Sequence, residues 1–309
     1  MSNFVALGIF TIFVLAMLAL DLGVFQRDPH KMSIREAAGW YAIWVSLAIA
    51  FNVGLYYWRG HQPALEFLTG YVLEVSLSMD NVFVFAVIFG YMGVKPQFQH
   101  RVLFWGIIGA LVMRAAFIGA GVALVSRFHW ILYVFGIFLV FTGAKLFRED
   151  KQEFHPERNP LLRLARKLFP ITPGYEGAAF FVVREGRRFA TPMLLVLTLV
   201  ESTDLLFAVD SIPAIFAVTL DPFIIFTSNV FAILGLRSLY FILASAIQKF
   251  RYLRPGLALV LMFVGVKMLM VSIYKIPILV SLAVIMAILA LAIGASLLSS
   301  PKPDSPALK

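Results

Sequence analysis

Glu74–Phe83 reads EVSLSMDNVF, and about 130 residues later Thr203–Ile212 reads TDLLFAVDSI. Both segments place two carboxylates six residues apart inside long apolar stretches. A carboxylate at the centre of a bilayer costs about 2.5–3.5 kcal/mol on insertion scales. If these stretches cross a membrane, the acids therefore need a bound cation, a proton or an intramembrane basic side chain as a partner.

The composition indicates a membrane protein. The chain has 309 residues, of which 61% are hydrophobic and 14% charged, and its mean hydropathy is +0.89. Repeated apolar runs of about 20 residues are typical of membrane-spanning helices. There is no Cys, which excludes disulfides, thiolate metal sites and thiol catalysis. We attribute the net charge of +9 to basic residues flanking the spans and expect no nucleic-acid partner.

The predicted fold is an all-α polytopic membrane protein with about nine transmembrane helices. Nineteen of the 26 Lys and Arg residues fall in loops that follow odd-numbered spans. The positive-inside rule then puts the N-terminus outside and the C-terminus in the cytoplasm. The predicted spans are approximately 4–25, 38–58, 64–93, 102–126, 130–147, 191–219, 223–247, 255–274 and 276–299.

Three successive spans recur in order. Because three is an odd number, the second copy enters the membrane from the opposite side, which predicts a 3+3 inverted-topology repeat formed by spans 3–5 and 6–8. The aligned pairs are Glu74 with Asp204, Asp80 with Asp210, Asn81 with Ser211, Arg114 with Arg237 and Lys145 with Lys267.

This repeat divides the chain. We predict two N-terminal spans in 1–63, the first repeat in 64–147, a cytoplasmic loop in 148–190, the second repeat in 191–274, and a last span with a disordered tail in 275–309. Within the loop, NPLLRLARKLFP predicts an interfacial amphipathic helix. FFVVREGRRFA predicts a hairpin.

Carboxylates with Ser, Thr, Asn and backbone oxygens form a ligand set that suits Mn²⁺, Mg²⁺ or Ca²⁺. The two acids of one segment could serve one site if they flank a cavity, or if the helix opens at Pro213. Burial favours the protonated form of a carboxylate and a bound cation favours the ionised form, so such a site can exchange protons for metal. The other explanation is internal salt bridging with Arg114, Arg237, Lys145 and Lys267, although four bases cannot pair all five acids.

The segments EVSLSMDNVFVFAVIF, GRRFATPMLLVLTLVESTDLLFAVDSIPAIFAVTLDPFIIFTSNVFAILGLRSLYF and FVGVKML resemble the TerC family of bacterial integral membrane proteins, in particular its Alx-like branch. The resemblance implies membership of the LysE transporter superfamily, 3+3 inverted repeats and Mn²⁺ efflux. Carried over residue by residue, it groups Glu74, Asp80 and Asn81 of the first half with Glu201, Asp204, Asp210 and Ser211 of the second.

We therefore expect a Mn²⁺ exporter of the bacterial inner membrane, coupled to protons, with no enzymatic activity and no organic cofactor. Asp80 and Asp210 are the expected ligands, Glu74 and Asp204 are ligands or proton carriers, and Arg114 and Arg237 orient the acids. Lys145 and Lys267 have a supporting or gating role in this expectation. Two alternatives stay open: an exporter of cationic amino acids, and a non-transporting membrane scaffold in the response to tellurium or oxyanion stress.

Overall fold

A computed structural model describes residues 3–25, 32–148, 156, 159–184, 186–244 and 252–299. The described part contains ten α-helices and one two-stranded sheet. In chain order these are α1 Asn3–Phe25, α2 Ile34–Arg59, α3 His61–Met92, α4 Pro96–Arg127, α5 Ile131–Arg148, α6 Pro160–Leu168, β1 Phe181–Arg184, β2 Arg187–Ala190, α7 Pro192–Phe216, α8 Pro222–Ala244, α9 Leu253–Leu269 and α10 Ile278–Leu298.

The all-α polytopic fold predicted from the sequence is confirmed. Seven of the described helices are long and apolar enough to cross a membrane, namely α2, α3, α4, α5, α7, α8 and α10. The predicted spans 4–25 and 255–274 correspond to α1 and to α9, which has 17 residues. The boundary near Tyr274 is wrong, because α9 ends at Leu269 and eight residues separate it from α10.

Local sequence signals set the helix boundaries. The Ser33 side chain accepts a hydrogen bond from the Glu36 amide at the start of α2, and Thr191 accepts one from the Met193 amide at the start of α7. Gly93 ends α3 in the left-handed conformation with φ +66°, which glycine adopts without a steric penalty. α7 remains helical through Pro213, so the local opening considered for this helix does not occur.

The loop between α5 and α7 contains the helix and hairpin expected from its sequence. Asn159 caps α6 by accepting hydrogen bonds from the amides of Leu161 and Leu162. β1 and β2 pair antiparallel, with Phe181 opposite Ala190. The predicted tail lies outside the described residues from 300 onward.

Helix α8 lies at the centre of the bundle. It contacts α2, α3 and α4, and nearly all of its residues are buried. Around this centre α3 packs on α8 and on α7, α4 packs on α7, and α5 packs on α9. α3 and α7, which carry the acidic segments, are therefore in contact near the middle of the molecule.

The α5–α9 contact depends on glycine. A Cβ atom at Gly265 would lie 2.7 Å from the Gly136 carbonyl oxygen, and one at Gly143 would lie 2.7 Å from the Ala258 carbonyl oxygen. A shift of 122 residues carries Gly136 to Ala258 and Gly143 to Gly265, so each contact is the repeat partner of the other. An inverted repeat produces such reciprocity, and the repeat itself stays a prediction.

We predict that Gly265→Ala destabilises the protein. The new methyl group would meet backbone atoms of α5, which cannot rotate away, so the free energy of unfolding should fall by about 1–3 kcal/mol. Unfolding in detergent micelles titrated with SDS measures the change. Gly119→Ala is the matched control, since nothing lies within 4 Å of a Cβ atom there. An equal effect of the two substitutions would contradict the close packing of α5 on α9.

Candidate cation site

A buried arginine connects four helices at the centre of the bundle. Arg114 of α4 donates to the Glu74 carboxylate of α3, and its Nη2 atom lies 3.5 Å from Oδ1 of Asp204 on α7. Its Nη1 atom also lies 3.2 Å from Ser211 Oγ on α7 and 2.8 Å from Asn229 Oδ1 on α8. We call these five residues the Arg114 cluster, and every member is at most 3% exposed.

The Arg114 cluster is not electrically balanced. Two carboxylates face one guanidinium, so with both acids ionised it carries one excess negative charge. Oδ2 of Asp204 is buried, and no described group donates a hydrogen bond to it. An unsatisfied buried carboxylate oxygen is costly. One proton or one further cation would therefore neutralise the excess charge of the cluster and could also satisfy the unpaired carboxylate oxygen.

The other repeat-related acid pair, Asp80 and Asp210, lines a cavity of about 170 Å³. Both aspartates are partly exposed, unlike the acids of the Arg114 cluster. We call this space the aspartate cavity. Its lining residues are Leu77, Asp80 and Asn81 of α3, Thr142, Lys145 and Leu146 of α5, Phe207, Asp210 and Ser211 of α7, and Leu257 and Leu261 of α9.

The α3 and α7 sides of the aspartate cavity correspond to each other. The shift of 130 residues carries Leu77, Asp80 and Asn81 to Phe207, Asp210 and Ser211, and all six line the cavity. Equivalent positions of the two aligned segments thus line the aspartate cavity. They bring two carboxylates, one amide and one hydroxyl, which are all oxygen-bearing groups.

Each aspartate has a basic neighbour. Oδ1 of Asp80 lies 3.8 Å from Nε of Arg254 on α9. Thr142 hydrogen-bonds Asp210, and Lys145 is close enough to attract the same carboxylate. The two aspartates are also close enough to repel each other. The described aspartate cavity is therefore close to neutral with all four groups charged.

Ser211 connects the two groups of acids. It lines the aspartate cavity and also lies against Arg114. Glu74 and Asp204 thus lie directly behind the cavity wall. Six of the seven predicted ligands, all except Glu201, consequently form two neighbouring groups rather than one shell. Among the residues that the structure describes, no three His, Asp or Glu side chains form a cluster able to hold a metal ion.

The remaining predicted site residues lie elsewhere. Glu201 packs against α4 where Gly109 has no side chain, because a Cβ atom there would overlap its carboxylate. Arg237 is buried with Nη1 3.2 Å from Nε2 of His100, rather than in the Arg114 cluster. Its predicted role in orienting the acids stays a prediction.

Lys267 lines a second cavity, also of about 170 Å³, formed mainly by residues from the end of α7 and the segment after α9. It lies near Glu66 of α3, which accepts a 2.6 Å hydrogen bond from Thr219. The aspartate cavity instead contains Lys145, the repeat partner of Lys267.

Sequence reasoning missed three residues of these two groups. Asn229 belongs to the polar triplet Thr227-Ser228-Asn229 within an apolar span, and that triplet is a usable signal. Thr142 lies one helical turn before Lys145, on the same face of α5. Arg254 lies just before the predicted span 255–274, and only the three-dimensional packing of α9 brings it to Asp80.

The fold and its buried polar groups define a polytopic helical membrane protein. The sequence model described as "Integral membrane protein TerC family" matches residues 59–304. The chain belongs to the TerC family.

Similar proteins cover nearly the full chain. An uncharacterized membrane protein from Myxococcus xanthus is 55% identical over 97% of this chain and 95% of its own length. A relative from Escherichia coli strain K12, provisionally named membrane-bound redox modulator Alx, is 47% identical over 91% of both chains. An uncharacterized membrane protein from Rickettsia bellii is 40% identical over 94% of this chain and 96% of its own. No solved structure matches the chain.

Removal of the central guanidinium should be severely destabilising. We predict that Arg114→Met lowers the free energy of unfolding by about 3–5 kcal/mol, because it leaves two buried carboxylates without a positive partner. The double variant with Arg114→Met and Glu74→Gln should recover part of that loss. SDS titration in micelles measures both variants.

Arg184→Met is the control for this prediction, since it removes an exposed ion pair with Glu176. Exposed pairs contribute about 0–1 kcal/mol. If Arg114→Met cost no more than Arg184→Met, the Arg114 cluster would not be the link between the four helices.

Proposed function

We propose that the chain exports divalent cations, with Mn²⁺ as the principal substrate, across the bacterial inner membrane in exchange for protons. The observation that carries the proposal is the aspartate cavity, in which Asp80 and Asp210 from the two halves of the chain face one space. The two acids together offer two negative charges, which match one divalent ion.

The donor atoms in this cavity support the choice of ion. Asn81, Thr142 and Ser211 add an amide oxygen and two hydroxyl oxygens to the two carboxylates. Oxygen ligands suit Mg²⁺, Ca²⁺ and Mn²⁺ better than they suit softer metals. Both aspartates line this open cavity and neither is fully buried by the protein.

The Arg114 cluster supports the coupling to protons. Its single excess negative charge can be offset by a proton on Glu74 or Asp204 while Asp80 and Asp210 hold the metal. Ser211 belongs to both groups, so a change of charge in one alters the electrostatic field in the other. Such adjacent groups supply the physical basis for exchange of a metal ion against protons.

The name of the Escherichia coli relative suggests a different kind of role, that of a redox modulator. A redox role in this chain would have to use groups other than thiols, because the sequence contains no Cys. The carboxylates and the cavity that contains them can bind a metal ion without any thiol.

Flux measurements test the proposal. The purified protein in liposomes should move Mn²⁺ faster than Mg²⁺, Ca²⁺ or lysine, and a pH gradient should stimulate the movement. Asp80→Asn and Asp210→Asn should each reduce Mn²⁺ flux by about tenfold or more, since each removes one of the two negatively charged ligands that attract the ion. Glu176→Gln, which changes an exposed carboxylate in the loop, is the matched control.

Other outcomes would favour the alternatives. Lysine flux without metal flux, unchanged by Asp80→Asn, would identify an exporter of cationic amino acids. A folded protein that moves none of these solutes would contradict transport and favour a scaffold.

A further inference from the structure

We infer that Lys145 and Arg254 are internal counter-ions of the aspartate cavity, and that the transported divalent cation binds by displacing them. The inference rests on the proposed function and assigns these two residues the role of setting cation affinity and turnover.

The charge balance of the cavity is the first argument. Asp210 faces Lys145 and Asp80 faces Arg254, so two negative and two positive side chains offset each other. Addition of a divalent ion to this arrangement would leave two excess positive charges around a cavity that is lined in part by apolar side chains. Like charges at such short range repel strongly where water screens them poorly. The ion therefore competes with Lys145 and Arg254 for the carboxylates of Asp210 and Asp80.

The positions of the basic groups are the second argument. Lys145 is three residues from the end of α5, and its side chain is exposed while it lines the cavity. A long aliphatic stem lets the ammonium group move to the polar end of the helix, where the last carbonyl groups attract it. Arg254 is the second residue of α9 and is only partly buried. Both groups can leave the carboxylates without unfolding a helix.

The weak geometry of the Arg254 pair is the third argument. Its Nε–Oδ1 distance of 3.8 Å exceeds that of a direct hydrogen bond. The Arg114 cluster is different, because Arg114 is buried and its Nη1 donates to Glu74, Asn229 and Ser211. Arg114 is thus held by several hydrogen bonds, whereas the contact of Arg254 with Asp80 is an ion pair longer than a direct hydrogen bond.

Neutrality in both states has a consequence for transport. The cavity is neutral with Lys145 and Arg254 present, and it is neutral again when a divalent ion replaces them. A carrier must change conformation in both forms to complete a net export cycle. If one of the two basic side chains is removed, the carrier without a bound cation retains an uncompensated carboxylate. The carrier with a bound cation is therefore stabilised relative to the carrier without one.

Lys145→Gln tests the inference. We expect this variant to bind Mn²⁺ about tenfold more tightly than the wild type, because the ion no longer competes with a tethered ammonium group. Net Mn²⁺ export should fall strongly while exchange of Mn²⁺ for Mn²⁺ continues, since exchange does not require the empty carrier to reorient. Calorimetric titration measures the affinity, and liposomes with or without internal Mn²⁺ separate the two fluxes.

Three further variants complete the design. Arg254→Gln should act in the same direction as Lys145→Gln. Lys145→Arg, which keeps the positive charge, should restore the wild-type affinity and the wild-type ratio of net flux to exchange. Lys95→Gln removes an exposed lysine at the start of α4 and should change neither quantity.

The Mn²⁺ affinity of the Lys145→Gln variant distinguishes a lysine that competes with the ion from a lysine that only stabilises the structure. Loss of a structural lysine would weaken binding or lower both fluxes together, and either result would overturn the inference. A wild-type protein that transports Mn²⁺ beside a Lys145→Gln variant of unchanged affinity would overturn the inference alone. A wild-type protein that neither binds nor moves Mn²⁺ would overturn the proposed function as well.

Discussion

The interaction on which the centre of the structure depends is the contact of one buried guanidinium with two buried carboxylates. Arg114, Glu74 and Asp204 come from α4, α3 and α7, and Asn229 adds α8. Replacement of such a buried charge group by apolar residues is often neutral or stabilising in proteins, so stability alone does not account for it. The cluster fixes the positions of α3 and α7, and this places Asp80 and Asp210 on opposite sides of one cavity.

Two classes of acid therefore coexist on the same pair of helices. Six residues separate Glu74 from Asp80 and Asp204 from Asp210, so the two acids of one helix point about 120° apart. One acid of each helix contacts Arg114 and is buried, and the other is partly exposed in the aspartate cavity. The spacing of six residues allows each helix to contribute to two neighbouring groups.

The sequence predicted the all-α membrane fold and the acids of both groups, because long apolar runs and intramembrane carboxylates are strong local signals. The repeat alignment also paired Asp80 with Asp210 and Glu74 with Asp204, as they occur in space. It left open whether Glu74 and Asp204 share the ligand shell of Asp80 and Asp210, since helix rotation and packing decide which face of α3 meets α7. It placed Arg237 with the acids, whereas the structure places it against His100.

The contact of Arg254 with Asp80 is the clearest example of a feature that the sequence does not predict. Its charge looks like that of any basic residue at the end of a span, and only the packing of α9 on α5 and α3 brings it near Asp80. Asn229 was recognisable as a polar residue in an apolar span, but its partner was not. The sequence thus shows which buried side chains are polar or charged, whereas only the three-dimensional structure shows which residues they contact.

The position of a bound Mn²⁺ ion tests the central claim most directly. Anomalous X-ray scattering at the manganese edge, from crystals of the protein grown with Mn²⁺, locates the ion without assumptions about its ligands. The account predicts one anomalous peak in the aspartate cavity, with oxygen atoms of Asp80 and Asp210 as ligands and with Lys145 and Arg254 turned away. A peak between Glu74 and Asp204, or no peak beside either aspartate, would contradict it.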